Sequence, residues 1–191
     1  ASGGTGSGVF AAVRETPPGH WAIGVDVDQA GEAPGRVLTS VTLNLDVSVF
    51  ARGTSPDPLP DVVERLRGDR DDGAAGLRTL EGRSWDACVD VSGYLPKQVR
   101  PSVELLNDRV GQYVFISSIS AYAKNDTPNA DESSELATLA DPTVETMGKN
   151  FENYGGLKHA CEQAAEKAMP GRVTIVRPGY IVGPDDPSGR F

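Results

Sequence analysis

Two side chains in the C-terminal half could move a proton. Tyr154-Gly155-Gly156-Leu157-Lys158 sets a phenol and an ammonium four residues apart, the spacing that brings two side chains to one face of a helix. A free phenol titrates near 10, too high for a base at neutral pH. A cation within a few ångströms favours the phenolate, so the pair suits proton transfer to or from a hydroxyl or a ketone. An ordinary helix with one exposed Tyr and one exposed Lys has the same spacing, so the surroundings decide. Upstream lies Tyr113-Val-Phe-Ile-Ser117-Ser118-Ile-Ser120-Ala-Tyr122, an apolar run ending in hydroxyls. In a parallel sheet ligands gather at the carboxyl ends of the strands, and a serine there can hydrogen-bond a reacting oxygen.

Elements with the right periods surround these residues. Residues 113–117 read as a buried strand, apolar throughout. Val99, Val103, Leu106 and Val110 recur at helical spacing, which predicts an amphipathic helix over 99–110. Residues 154–169 read as a helix with Leu157, Cys161, Ala164, Ala165 and Ala168 inward, and residues 173–177 as the next strand, ended by Pro178-Gly179. A buried strand is expected over 85–91 and a short helix, capped by Asp61, over 61–67. Residues 123–153 form a long polar stretch, and loops of that length in compact domains usually carry function. Alternating strands and helices predict an α/β fold, three-layered and Rossmann-like, its sheet mainly parallel with helices on both faces.

The chain has 191 residues, 38% hydrophobic and 24% charged, as a folded globular chain does. Its net charge of −9 argues against nucleic acid or an anionic membrane as partner. No apolar run approaches the roughly 20 residues of a membrane helix, and no signal-peptide pattern opens the chain, so the cytoplasm is the expected compartment. Cys88 and Cys161 fall in a strand and a helix and are expected to be buried thiols rather than a disulfide.

The ordered series of strand–Ser118, long loop, Tyr154-x-x-x-Lys158 helix and strand–Arg177-Pro178 resembles the second half of an extended short-chain dehydrogenase/reductase. It resembles the NAD-dependent epimerase/dehydratase group, its atypical branch especially. Gly68-Asp69-Arg70, Trp85-Asp86-Ala-Cys-Val-Asp90-Val-Ser92-Gly93-Tyr94 and Asp131-Glu132-Ser133 continue the likeness. That resemblance implies NAD or NADP as cofactor and hydride transfer at a carbinol or ketone carbon of a small substrate, such as a nucleotide sugar or other polyol. Tyr154 would be the acid/base, and Lys158 would assist it and hold the nicotinamide ribose. Ser118, four residues before Tyr122, occupies the family's Ser/Thr position, with Ser117 and Ser120 as rivals. Asp69 and Arg70 would lie by the adenine, Ser92 and Gly93 along the cofactor, and Pro178 near the nicotinamide. The family's substrate-capping region is not found before Phe191.

The first fifty residues follow another pattern. Gly3-Gly4-Thr5-Gly6-Ser7-Gly8 is a glycine loop, with Val9 where a dinucleotide fingerprint has its third glycine. A short helix is expected over 9–15. If the loop opens that helix, its N–H groups favour phosphate, with Gly3, Thr5 and Gly6 in contact. The strand that normally precedes such a loop is missing. Arg52, after the strand candidate 47–50, would meet a ribose phosphate. Residues 3–50 as a whole resemble the basic membrane lipoprotein group, nucleoside-binding proteins of transport systems. They do so through Gly-Gly-Thr-Gly-Ser-Gly-Val-Phe-Ala-Ala, Trp-Ala-Ile-Gly-Val-Asp26-Val-Asp28-Gln29 and Asp46-Val-Ser-Val-Phe. Asp26 would be the ribose-binding acid, and Leu43 stands where that group has a lysine. The chain thus reads as composite, with residues 1–50 from one α/β family and residues 51–191 a dehydrogenase-like core, together expected to form one folded unit. Strand 21–26 is expected to fill the place of the missing strand, beside strand 85–91.

Overall fold

The computed structural model describes residues 10–16, 20–26, 38–44, 46–54, 59–124, 126, 128–129 and 131–181, the first three stretches as backbone only. Gly3, Thr5 and Gly6 lie outside the described residues. Two compact units divide the chain, Ala1–Arg67 and Gly68–Phe191. It is an α/β protein, with parallel pairing in two of the three sheets among the described residues.

In the first unit, β1 (Phe10–Thr16), β2 (His20–Asp26) and β3 (Leu38–Asn44) form an antiparallel sheet in the order β1-β2-β3. Residues 10–16 are therefore a strand and not the expected helix. The register pairs Thr16 with His20 and Phe10 with Asp26, so the two strands are neighbours in sequence as well as in the sheet. A hairpin satisfies its backbone with near neighbours at little loop-closure cost. The same pairing overturns the expected repair of the parallel sheet: β2 lies between β1 and β3 and does not join strand 85–90.

Strands β4 (Ser48–Ala51) and β5 (Glu64–Arg67) pair in parallel. The short helix expected over 61–67 is thus a turn followed by a strand. Arg65 explains the turn. Its Nη1 donates to the carbonyls of Pro60 and Val63 at 3.1 and 2.6 Å, and its Nη2 to Leu59 at 2.6 Å. Carbonyls gathered on one guanidinium do not point along a helix axis.

The second unit is a parallel sheet of β6 (Trp85–Asp90), β7 (Val110–Ile116) and β8 (Val173–Val176), in that order. Helices α1 (Pro96–Leu106) and α2 (Tyr154–Ala168) are the crossovers. Side chains alternate across a strand, so Tyr113 and Phe115 face one way and enter the core with Val99, Val103 and Leu106 of α1 and Cys161 and Ala165 of α2. The helix expected over 99–110 ends at Leu106, and Val110 reaches the same core from the first position of β7. Strand β6 is less buried than its sequence suggests: Val89 is 58% exposed, because among the described strands β6 pairs only with β7. Before it, Arg70–Leu80 runs as 3₁₀ turns broken at Gly73, whose φ of +58° suits glycine. Both cysteines are free; burial pushes the half-buried Cys88 thiol up to about 11 and the buried Cys161 thiol up to about 12.

Candidate active site

The carboxyl end of the parallel sheet carries the chemistry. Strand β7 ends at Ile116, and the chain crosses from Ser117 and Ser118 into one 3₁₀ turn, Ile119–Ala121. Neighbouring elements fix this turn from both sides. Ser117 N–H donates to the Val176 carbonyl at 2.7 Å and Ile119 N–H to that of Pro178 at 2.9 Å. On the other side, α2 comes very close. A Cβ on Gly155 would stand 2.1 Å from the Ser120 carbonyl oxygen, and one on Gly156 would stand 2.9 Å from Leu139. Gly155 therefore lets the start of α2 touch the serine turn, and Gly156 lets it touch the long loop at Leu139. Within the long loop, Ala137 N–H bonds the Ala121 carbonyl at 2.8 Å, and His159 Nδ1 lies 2.7 Å from the Ala137 carbonyl. The segment around residue 137 is thus fastened beside the same turn.

Lys158 is 2% exposed. Its Nζ donates to the Gly93 carbonyl at 2.7 Å and to the Ile116 carbonyl at 2.8 Å, and lies 4.4 Å from the centre of the Phe115 ring. Burial lowers its pKa, against the opposing pull of Cys161, Asp90 and Glu162. Gly93 must be glycine here, since a Cβ would meet Phe115 at 2.5 Å and Val99 at 2.7 Å. Ser118 Oγ accepts the Ser120 N–H at 3.1 Å. That bond uses an acceptor position and leaves the hydroxyl hydrogen to donate.

A cavity of about 600 Å³ opens over these groups, lined by Ser117, Ser118, Ser120, Tyr154, Lys158 and Pro178 together with Val91, Tyr94 and Tyr180. Pockets for small ligands fall in the range of roughly 300–1,000 Å³. The structure thus gathers Ser118, Tyr154, Lys158 and Pro178 on one cavity, with both rival serines.

The other residues singled out from the sequence lie elsewhere. Arg52 follows β4 in the first unit. Asp69 caps the 3₁₀ segment, accepting the Asp71 N–H at 3.0 Å. Arg70 has all five N–H donors engaged: Asp90 takes two at 2.7 and 2.8 Å, the Gln98 carbonyl two at 3.2 and 3.3 Å, and Ser92 Oγ one at 3.5 Å. Asp90 also accepts the Tyr113 hydroxyl at 2.6 Å and the Ser92 N–H at 3.1 Å. Burial opposes ionisation of Asp90, but the bond and charge of Arg70, with Tyr113 and Ser92, outweigh it and hold the carboxyl below its usual range. Burial, then the neighbouring Asp90 charge, raises the Tyr113 phenol well above its ordinary value. Ser92 and Gly93 belong to the turn this network anchors, and Gly93 passes the constraint on to Lys158.

Against known proteins, the chain is similar in two places. The family of ABC transporter substrate-binding proteins of the PnrA-like kind matches residues 1–52, which bears out the likeness read from Gly3 to Phe50. The chloroplast stem-loop binding protein of 41 kDa b from Arabidopsis thaliana is 29% identical over 152 residues, covering 72% of this chain and 36% of the relative. That likeness reaches well beyond residue 52, and the chain spans about a third of the length of this relative.

Sequence reasoning missed two sets of residues. Tyr94, Tyr180 and the apolar Ile119 line the cavity from turns, where no periodic pattern marks them. The Arg70–Asp90–Tyr113 network joins three separate elements; only an Asp and a Tyr within strand-forming runs could have signalled it. Among the described residues no helix is long and apolar enough to cross a membrane, and no group of acidic, His or Cys side chains could hold a metal ion.

Proposed function

We propose that residues 68–181 form the nicotinamide-side half of an NAD(P) site of the short-chain dehydrogenase/reductase, epimerase/dehydratase kind. One observation carries the reading: Ser118, Tyr154 and Lys158 share a single cavity at the carboxyl end of a parallel sheet, with Lys158 tied to the Gly93 and Ile116 carbonyls. The ammonium has three donors; two hold it in place, and the third suits a ribose hydroxyl. The bound nicotinamide would supply or accept the hydride. The Tyr154 hydroxyl would exchange a proton with the oxygen of the reacting carbinol or ketone, and the Ser118 hydroxyl would donate a hydrogen bond to that oxygen. Tyr94 and Tyr180 would border a small polyol or nucleotide-sugar substrate.

Affinity for the dinucleotide is expected to be weak, with a Kd above about 100 μM, because preorganisation supplies much of binding. From Phe10 onward the chain forms strand β1, not the helix whose N-terminus would favour phosphate. Titration calorimetry with NAD+, NADP+, adenosine and a stem-loop RNA tests the reading. The dinucleotides should bind, and Tyr154→Phe should keep that affinity while abolishing turnover. Turnover that survives in Tyr154→Phe, or no dinucleotide binding at all, refutes it.

The match over residues 1–52 favours a second reading, a nucleoside-binding module built on Asp26. Binding of adenosine alone would support it, although Asp26 here ends an antiparallel strand. The Arabidopsis relative is named for stem-loop binding, but a net charge of −9 opposes a polyphosphate partner; we propose that neither nucleic acid nor membrane is bound. A cytoplasmic location belongs to the same proposal, as does an origin from two families joined near residues 46–51.

A further inference from the structure

Ser117 differs from every other polar side chain among the described residues. Its Oγ alone is buried without a hydrogen-bond partner. Native proteins leave few such groups, since a hydroxyl taken from water without a new partner is costly. The backbone does not force the position to be polar. Ser117 N–H already pairs with the Val176 carbonyl at 2.7 Å, and an alanine could make that bond equally well. The neighbours on either side are engaged: the Ile116 carbonyl holds Lys158 Nζ at 2.8 Å, and Ser118 Oγ accepts the Ser120 N–H at 3.1 Å. Ser117 and Lys158 line the same cavity.

We propose that Ser117 is a ligand-binding residue whose hydroxyl pairs with a hydroxyl of a ribose-bearing ligand, while the adjacent ribose hydroxyl takes the third N–H of Lys158. This inference rests on the NAD(P) reading. A hydroxyl both donates and accepts, so it suits a sugar hydroxyl in either sense. Serine has three staggered side-chain positions, and the ligand selects the one that faces the cavity.

Ser117→Ala separates this role from a structural one. In the ligand-free protein the variant should melt at the same temperature or higher, because it removes an unpaired buried hydroxyl. Its Kd for NAD+ or NADP+ should rise roughly threefold to tenfold, the scale of one lost hydrogen bond. Ser117→Cys, which keeps the branching but is larger and donates weakly, should fall between. A lower melting temperature for ligand-free Ser117→Ala would show that the hydroxyl already has a partner and overturn the inference. Equal dinucleotide affinity in the unaltered and Ser117→Ala chains overturns the inference alone. No binding by the unaltered chain overturns the NAD(P) reading and this inference with it.

Discussion

Replacing Arg70 by Met should cost more stability than removing the whole network around it. Arg70 and Asp90 side chains are 14% and 5% exposed, and their bidentate bridge is 2.7 and 2.8 Å long. Without Arg70, the Asp90 carboxylate stays buried with only the Tyr113 hydroxyl and the Ser92 N–H. Breaking a buried pair in this way costs about 3–5 kcal/mol, whereas exchanging all partners for apolar groups is often neutral. A domain of this size is stable by roughly 5–15 kcal/mol, so the single change removes a large share. With a urea slope of about 2 kcal/mol per molar, the midpoint should drop by roughly 2 M. Trp21 and Trp85 are the only tryptophans, so in a Trp21→Phe background Trp85 fluorescence reports β6 alone. The triple variant Arg70→Met/Asp90→Leu/Tyr113→Phe should lose less than Arg70→Met. The pH dependence has a fixed sign. Asp90 titrates below its usual range when folded, so its contribution is complete above the unfolded value near 3.9 and disappears as pH falls through the folded one. Asp90→Asn should lack that acid-limb loss. An Arg70→Met cost under about 1 kcal/mol, the size of an exposed pair, would refute the reasoning, as would a triple variant less stable than the single one.

Two further changes probe the site's frame. Gly155→Ala adds a methyl 2.1 Å from the Ser120 carbonyl oxygen; overpacking of about 1–3 kcal/mol should outweigh the roughly 1 kcal/mol of helix propensity gained, and the melting temperature should fall rather than rise. Glu162 is 1% exposed and receives Arg177 Nε at 3.0 Å and Nη2 at 2.8 Å, so Glu162→Leu should cost about 3–5 kcal/mol and Glu162→Gln clearly less in the same urea assay, because the amide oxygen still accepts one of the two bonds.

Much of the second unit was legible because local and global signals agree there. The Val99–Leu106 stripe, the apolar β7 and the Tyr154 helix each follow one period, and each buries the face that period selects. Ser118, Tyr154 and Lys158 meet because a parallel sheet brings strand ends and helix starts to one edge. Boundaries failed where a residue serves two periods. Val110 continues the helical spacing of α1 yet opens β7, since Arg109 N–H closes a turn on the Leu106 carbonyl at 2.9 Å. Nothing in the sequence of Arg65 shows that its guanidinium will gather three carbonyls and make residues 59–63 a turn.

The first fifty residues show a deeper reason for misreading. The expected helix is what usually follows a glycine loop and the expected central strand replaces the one that usually precedes it, relations that hold only when a sheet already stands behind the loop. Residues 10–44 contain strand-forming runs close together in sequence, and close runs pair first because short loops are cheap to close. Antiparallel pairing of β1, β2 and β3 satisfies their inner backbone groups without the second unit. Residues 1–52 match one family, and within them local pairing, not the sheet of the second unit, decides where β1, β2 and β3 lie.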